Sequence, residues 1–245
     1  MERPLVPAQN TPSTWLQLPL RFDVARMQGD SDQFSTSEWI SHFNTGAYEN
    51  GWSCVPLRSP DGAAGDIMPV DGAAYAATPQ LARCPGLREV LASFACDIRA
   101  ARLMALAPGA VIRAHRDAGT SLADGLIRIH IPIHTSPQVL FTIDGESVHF
   151  TAGHAWYMDA SCLHAVHNQG TAPRIHLVLD CVTNAWIEAL FTSAGFVPKA
   201  PQKYGDPCIN DGNVRAVIAQ LRLSPSPASL ALASQLSALA DGAAP

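Results

Sequence analysis

Between residues 97 and 182 the chain is cut into short pieces, and that limits its possible folds more than any other feature. Eight runs of β-forming residues follow one another: "IRAARLMALA", "VIRAH", "LIRIHIPI", "QVLFTI", "SVHFT", "HAWYM", "LHAVHN" and "RIHLVLDCV". Turn chemistry separates them, with "PGA", "LADG", "TSP", "DGE", "AG", "DAS" and "NQGTAP" in between. Runs this short, turned this often, predict a mainly β fold of antiparallel sheets, a sandwich or a barrel. A jelly roll is the standard eight-strand solution.

The flanks read differently. "WLQLPLRFDV" and "GWSCVPLRS" are expected strands, and "PDGAAGDIMPVDGAA" is an expected loop. In "GLREVLASF", Leu87, Val90, Leu91 and Phe94 recur at helical spacing. Ser35 followed by Glu38 is the capping-box pattern that opens a short helix over "STSEWISHF". After residue 183 helices are expected at "NAWIEALF", at "GNVRAVIAQLR" and from Ser226-Pro227 onward, with the last few residues frayed. The expected organisation is a jelly-roll domain with its N-terminal lead-in over 1–195, core at about 97–182, and a helical C-terminal appendage over 196–245.

A chain of 245 residues is long enough to bury a substantial core. Its net charge of −5 argues against nucleic acid or an anionic membrane as partner, since both need a basic surface. No apolar run reaches the length of a membrane span. "MERPLVPAQN" lacks the basic-then-apolar layout of a secretion signal, so a cytoplasmic location is expected. The six cysteines include no C-x-x-C pair and are expected to be free thiols.

Strand periodicity then singles out a set of polar residues. In an extended run Arg113, His115 and Asp117 face one way. Arg128, His130, Pro132 and His134 share one face of the next run, opposite Ile129, Ile131 and Ile133. Arg174, His176, Val178 and Asp180 share a face opposite Ile175, Leu177 and Leu179. Solvent-facing strands usually carry Lys, Glu, Gln and Ser as well. A polar set confined to His, Asp and Arg points to a lined cavity.

The tripeptide "HRD" also occurs in protein kinases, but there an Asn follows five positions after the Asp and a Gly-rich loop precedes it. Here the fifth position is Leu122 and no G-x-G-x-x-G exists. His115 and Asp117 instead offer an imidazole and a carboxylate from one short segment. A third ligand from a distant strand would complete two-His-one-carboxylate coordination of iron(II). The candidates are His134, His149, His154, His164, His167 and His176. His164 stands out because Arg174 follows ten positions later on the next strand, where a guanidinium and a metal could hold one small dicarboxylate.

"HRD", then "RIHIPI", then "MDASCLHAVHNQGTAPRIHLVLD" resembles the aspartyl/asparaginyl β-hydroxylase family of iron(II)/2-oxoglutarate dioxygenases, including bacterial members that hydroxylate free amino acids such as proline. The likeness covers roughly 97–190, and "HFNTGAYENGWSCVPLRS" resembles the family's lead-in. It implies a double-stranded β-helix with flanking N-terminal and C-terminal helices. It implies His115, Asp117 and His164 as Fe(II) ligands, Arg174 on the distal 2-oxoglutarate carboxylate, and Arg128 and His130 as further cosubstrate-site residues. The implied reaction uses O2 to hydroxylate an unactivated C–H bond of an amino acid, free, carrier-bound or peptidyl, releasing succinate and CO2.

Two departures qualify the likeness. Members acting on growth-factor-like domains have glycine where this chain has Asp117, and an arginine where it has Leu126. Both differences favour the free-amino-acid branch or another small biosynthetic intermediate. Asp117 also argues against a halogenase, which needs that coordination position vacated. The rival from another class is a non-catalytic, cupin-like metal-binding protein. Cupins usually present an H-x-H pair followed by Glu, and this chain has no H-x-H.

Overall fold

The computed structural model describes residues 12–70, 72–199, 203–206 and 208–242; the opening "MERPLVPAQN" and the end at 243–245 lie outside them. The chain divides into two compact units, 1–197 and 198–245.

All eight predicted runs of the first unit are strands. They are β6 (Ile98–Leu106), β7 (Val111–His115), β8 (Leu126–His134), β9 (Val139–Ile143), β10 (Glu146–Val148), β11 (His154–Met158), β12 (His164–Asn168) and β13 (Arg174–Val182). Before them come β1 (Trp15–Arg21), β2 (Ile40–Ser41), β3 (Tyr48–Glu49), β4 (Trp52–Pro60) and β5 (Tyr75–Ala77). The larger sheet runs β1-β11-β8-β13-β6-β4-β2, with β5 on β4, and the smaller runs β10-β9-β12-β7-β3. All pairings are antiparallel. The eight core strands divide as β11-β8-β13-β6 and β10-β9-β12-β7, the alternation of a double-stranded β-helix. Where β9 turns into β10, Asp144 and Gly145 both take positive φ, 49° and 88°. That is the left-handed pair a two-residue type I′ hairpin requires.

The larger sheet is buried on both faces. Ile127, Ile129, Ile131, Ile133, Leu177 and Leu179 project from its outer face into one core. Helices α1 (Val24–Ser31), α2 (Pro79–Ala82), α3 (Pro85–Ala92) and α4 (Ala185–Ser193) accompany that side of the domain, and their Met27, Leu81, Leu87, Ile187 and Phe191 join the same cluster. Each fully buried aliphatic side chain contributes roughly 1.5–3 kcal/mol. The second core lies between the sheets and is built from Val139, Phe141, Ile143, Phe150, Trp156 and Val166.

Two local expectations are corrected. The segment after Ser35 makes a single 3-10 turn, Thr36–Glu38, before the chain straightens into β2. Ser35 N–H does donate to Glu38 Oε2 at 3.0 Å, so the cap forms without a helix behind it. Strand parity also breaks where the ladder skips a residue. Between β7 and β12, Arg113 and Ala114 of β7 oppose the single residue Ala165 of β12, so Ile112 and His115 both line the interior while Arg113 is exposed, held by Glu49. An extra residue at Ile133 likewise takes His134 out of line, and its Nε2 sits 2.8 Å from Asp32 Oδ1 at the end of α1. Such bulges bend a strand and re-aim its side chains.

The second unit is a helical pair, α5 (Val214–Arg222) and α6 (Pro227–Ala240), joined through Val214, Ile218, Ala233, Leu236 and Tyr204. Pro227 stands in the first turn of α6, as its fixed φ favours. Among the described residues no helix is long and apolar enough to cross a membrane.

Ile131 is fully buried in the outer core of the first unit. Ile131→Ala should lower stability by about 2–5 kcal/mol through lost burial and a residual cavity, measured as the free energy of urea unfolding of that domain.

Candidate metal centre

The space between the sheets opens into a cavity of about 670 Å³. Its polar lining includes all six residues singled out in the sequence, His115, Asp117, Arg128, His130, His164 and Arg174. His115 ends β7, Asp117 follows it, and His164 begins β12 directly opposite His115. One ligand atom from each of these three lies within 4.8 Å of the others, and this is the metal-capable group among the described residues. The imidazoles of His115 and His164 are 4.2 Å apart between ring centres.

Backbone carbonyls set how these rings present themselves. His115 Nδ1 lies 2.8 Å from Arg113 O, and His164 Nδ1 lies 3.0 Å from Cys162 O. A carbonyl only accepts, so each Nδ1 carries a proton and Nε2 is the atom each ring can offer as a ligand. Burial first lowers the His164 pKa, against the pull of the Cys162 carbonyl. A neutral imidazole with a bare Nε2 is the form that binds a metal.

Behind the ligand atoms stands a chain of alternating charges. Arg128 pairs with Asp117 and donates from Nε to Asp180 Oδ1 at 2.8 Å, while Arg102 pairs with the other Asp180 oxygen. Cross-strand register places Asp180 opposite Arg128, with β6 on its other side. Burial alone would lower the Arg128 guanidinium, but the Asp180 and Asp117 carboxylates outweigh it and hold it raised. Burial would likewise raise Asp180, and Arg128 and Arg102 hold it below the usual carboxylate range.

Arg174 is different. It is 2% exposed, and among the described residues its Nε has no hydrogen-bond partner and no carboxylate pairs with it. Burial pushes its pKa down to about 10, and its guanidinium carbon sits 5.8 Å from the Phe141 ring centre. His130 and His176 are buried beside it, with Nδ1 atoms 3.4 Å apart and both Nε2 atoms unpartnered. A buried cation and unpartnered buried donors are costly unless an anion completes them.

The remaining candidate histidines lie elsewhere. His149 Nδ1 is 3.0 Å from Val139 O, His154 Nδ1 is 3.1 Å from Ala152 O, and His167 Nδ1 is 3.1 Å from Gln169 Nε2. Arg58 donates to the carbonyls of Ile98 and Tyr75, and Trp156 belongs to the core between the sheets. Trp52 lines the cavity. Its ring stacks on His42 at 3.5 Å and 9°, and Phe43 continues that wall. Burial, then Arg102 and Arg128, bring the His42 pKa down to about 4. Sequence reasoning gave no role to His42, Arg102 or Asp180. The trace of Asp180 was visible on the polar face of "RIHLVLD"; His42 sits in an irregular segment where periodicity says nothing.

Residues 20–184 match the family model described as "Aspartyl/Asparaginyl beta-hydroxylase". The chain is similar to an L-proline cis-4-hydroxylase of Rhizobium meliloti, 28% identical over 173 residues, covering 69% of this chain and 61% of that protein. It is also similar to L-proline cis-3-hydroxylase 1 of a Streptomyces species, 24% identical over 168 residues, covering 66% and 57%. The chain thus spans about three fifths of the length of these relatives. Among solved structures, an oxidoreductase of the 2OG-Fe(II) oxygenase family from Burkholderia pseudomallei matches 69% of this chain and 85% of its own, at 13% identity and a TM-score of 0.48.

Two outcomes follow from the buried groups. Asp180→Ala leaves Arg102 and Arg128 buried without their shared carboxylate and should cost about 3–5 kcal/mol in urea unfolding. For pH, burial first and then the Arg174 charge hold His130 and His176 well below their usual range. They stay neutral when folded and protonate below about pH 6.5 when unfolded. The unfolded state therefore binds more protons as pH falls. The stability is fully present above about pH 6.5 and lost below it, at about 1.4 kcal/mol per pH unit for each histidine. His176→Phe should flatten that dependence of the urea midpoint.

Proposed function

Because the chain belongs to the aspartyl/asparaginyl β-hydroxylase family, we propose that it is an iron(II)/2-oxoglutarate-dependent dioxygenase hydroxylating an amino acid or amino-acid residue. The observation that carries this reading is the joint one. A two-histidine-one-carboxylate group and a buried arginine without an anion line the same cavity.

The donor set suits iron(II). Two neutral imidazoles and a carboxylate are the ligands of facial-triad sites, which leave open positions for small ligands. With 2-oxoglutarate and O2, bound iron(II) supplies the oxidising power for C–H hydroxylation, with succinate and CO2 as co-products. The protein's part is binding and orientation. His115, Asp117 and His164 hold the metal. Arg174 takes the distal carboxylate of 2-oxoglutarate, which completes the guanidinium and gives its burial a purpose.

His130 adds a neighbouring donor from Nε2. Arg128 has three of its five N–H donors engaged by Asp117 and Asp180, so two remain for a cosubstrate oxygen. The engaged donors aim the Asp117 carboxylate. Ile112, Met158 and Val166 line the cavity and limit the water around the metal. The relatives act on L-proline, so a free amino acid of that size is the first substrate to try.

Anaerobic titration of the metal-free protein with Fe(II) and then 2-oxoglutarate should give a weak visible charge-transfer band that needs both. His115→Ala and His164→Ala should lose the band and the succinate release. Arg174→Ala should retain metal but need roughly 10- to 100-fold more 2-oxoglutarate, the loss of a charge-assisted pair. Metal bound with indifference to 2-oxoglutarate would favour the cupin-like binding protein instead.

A further inference from the structure

We propose that Arg99 is the anchor for the substrate's own carboxylate, and that the enzyme therefore acts on a free amino acid and not on one tethered through its carboxyl group. This deepens the hydroxylase reading above and rests on it for the identity of the reaction.

The sequence holds a clue in "IRAARL". Arg99 and Arg102 are three apart, so a regular strand would send them to opposite faces. Both line the cavity. The ladder with β13 shows how. Asp180 opposes Ala100 but Cys181 opposes Ile98, so Arg99 is an extra residue on β6 with no partner across the strand. Ile98 and Ala101 on either side pack into the outer core. A bulge of this kind is how a strand re-aims one side chain beside a site without disturbing the packing on its other face.

Charge accounting inside the cavity then isolates Arg99. Arg102 and Arg128 are balanced by Asp180 and Asp117. Arg116 is exposed, so water solvates its charge, and it donates to the Ser161 carbonyl at 2.9 Å. Arg174 is committed to the cosubstrate in the reading above. Arg99 is partly buried and, among the described residues, has no hydrogen-bond or ion-pair partner. Asp124, a carboxylate that also lines the cavity, accepts from Ser121 Oγ at 2.6 Å and forms no ion pair with Arg99. Among the described residues the cavity thus presents two guanidinia that are at least partly buried and lack a carboxylate, on different strands. One is for 2-oxoglutarate, and the other calls for a second carboxylate. A free α-amino acid brings one. An amino acid held as a thioester, amide or internal peptide residue does not.

The test reads Arg99 directly. In 15N-labelled wild-type protein, its Nε–H signal, assigned by its loss in Arg99→Lys, is titrated with free L-amino acids, L-proline included, and with their carboxamides. The signal should move saturably with at least one free acid and stay still with the matching carboxamide. For the amino acid that drives succinate release, Arg99→Gln should raise KM roughly 10- to 100-fold, with the Fe(II)/2-oxoglutarate band intact. The proposal falls if no free amino acid moves the signal, if carboxamides move it equally, or if Arg99→Gln leaves KM for the acid unaltered. Turnover with a silent Arg99 would sink the anchor and keep the hydroxylase. A responsive Arg99 without succinate release would do the reverse.

Discussion

Taking Arg102, Asp180 and Arg128 out of water costs several kcal/mol for each ion, and only their alternation, continued to the half-buried Asp117, offsets that cost. The sheet order meets this demand directly. Asp180 on β13 lies between Arg102 on β6 and Arg128 on β8, so the central carboxylate is flanked by a guanidinium on each side. Asp117 arrives from the end of β7 in the other sheet and closes the chain at the metal-capable group. Register among three strands is thereby fixed from the inside. A slip of one residue would turn an arginine into the outer core and an isoleucine into the site.

The architecture around this chain follows from the same choice. The inner faces of β8 and β13 carry charge and imidazole and supply little hydrophobic stabilisation. The aliphatic faces of β8 and β13 must find theirs outside, and the helical layer with Met27, Leu87, Ile187 and Phe191 provides it. Stability and chemistry therefore occupy opposite faces of the same strands.

That division explains what the sequence disclosed. "RIHIPI" and "RIHLVLD" alternate cleanly, so their two faces could be read residue by residue, and Arg128, His130 and Arg174 do line the cavity while His176 is buried beside it. His115, Asp117 and His164 were legible by type and order, and they converge. The pattern failed at Arg113 and His134, because period-two reasoning assumes an unbroken ladder and both lie beside bulges. It failed also for the Asp117–Arg128–Asp180–Arg102 chain, since pairing between strands distant in sequence is set by topology, and for His42, which sits on irregular backbone.

The skipped positions on β6, β7 and β8 have a meaning for descent as well as for packing. Each is one residue inserted into a strand, and on β6 and β8 the outer face keeps its packing in the aliphatic core. Gain or loss of a single codon at such a point changes which side chain looks into the cavity and leaves the aliphatic cluster alone. A lineage built on this barrel can therefore diverge in what it accepts by small insertions within strands, without rebuilding the loops that substrate change is usually assigned to.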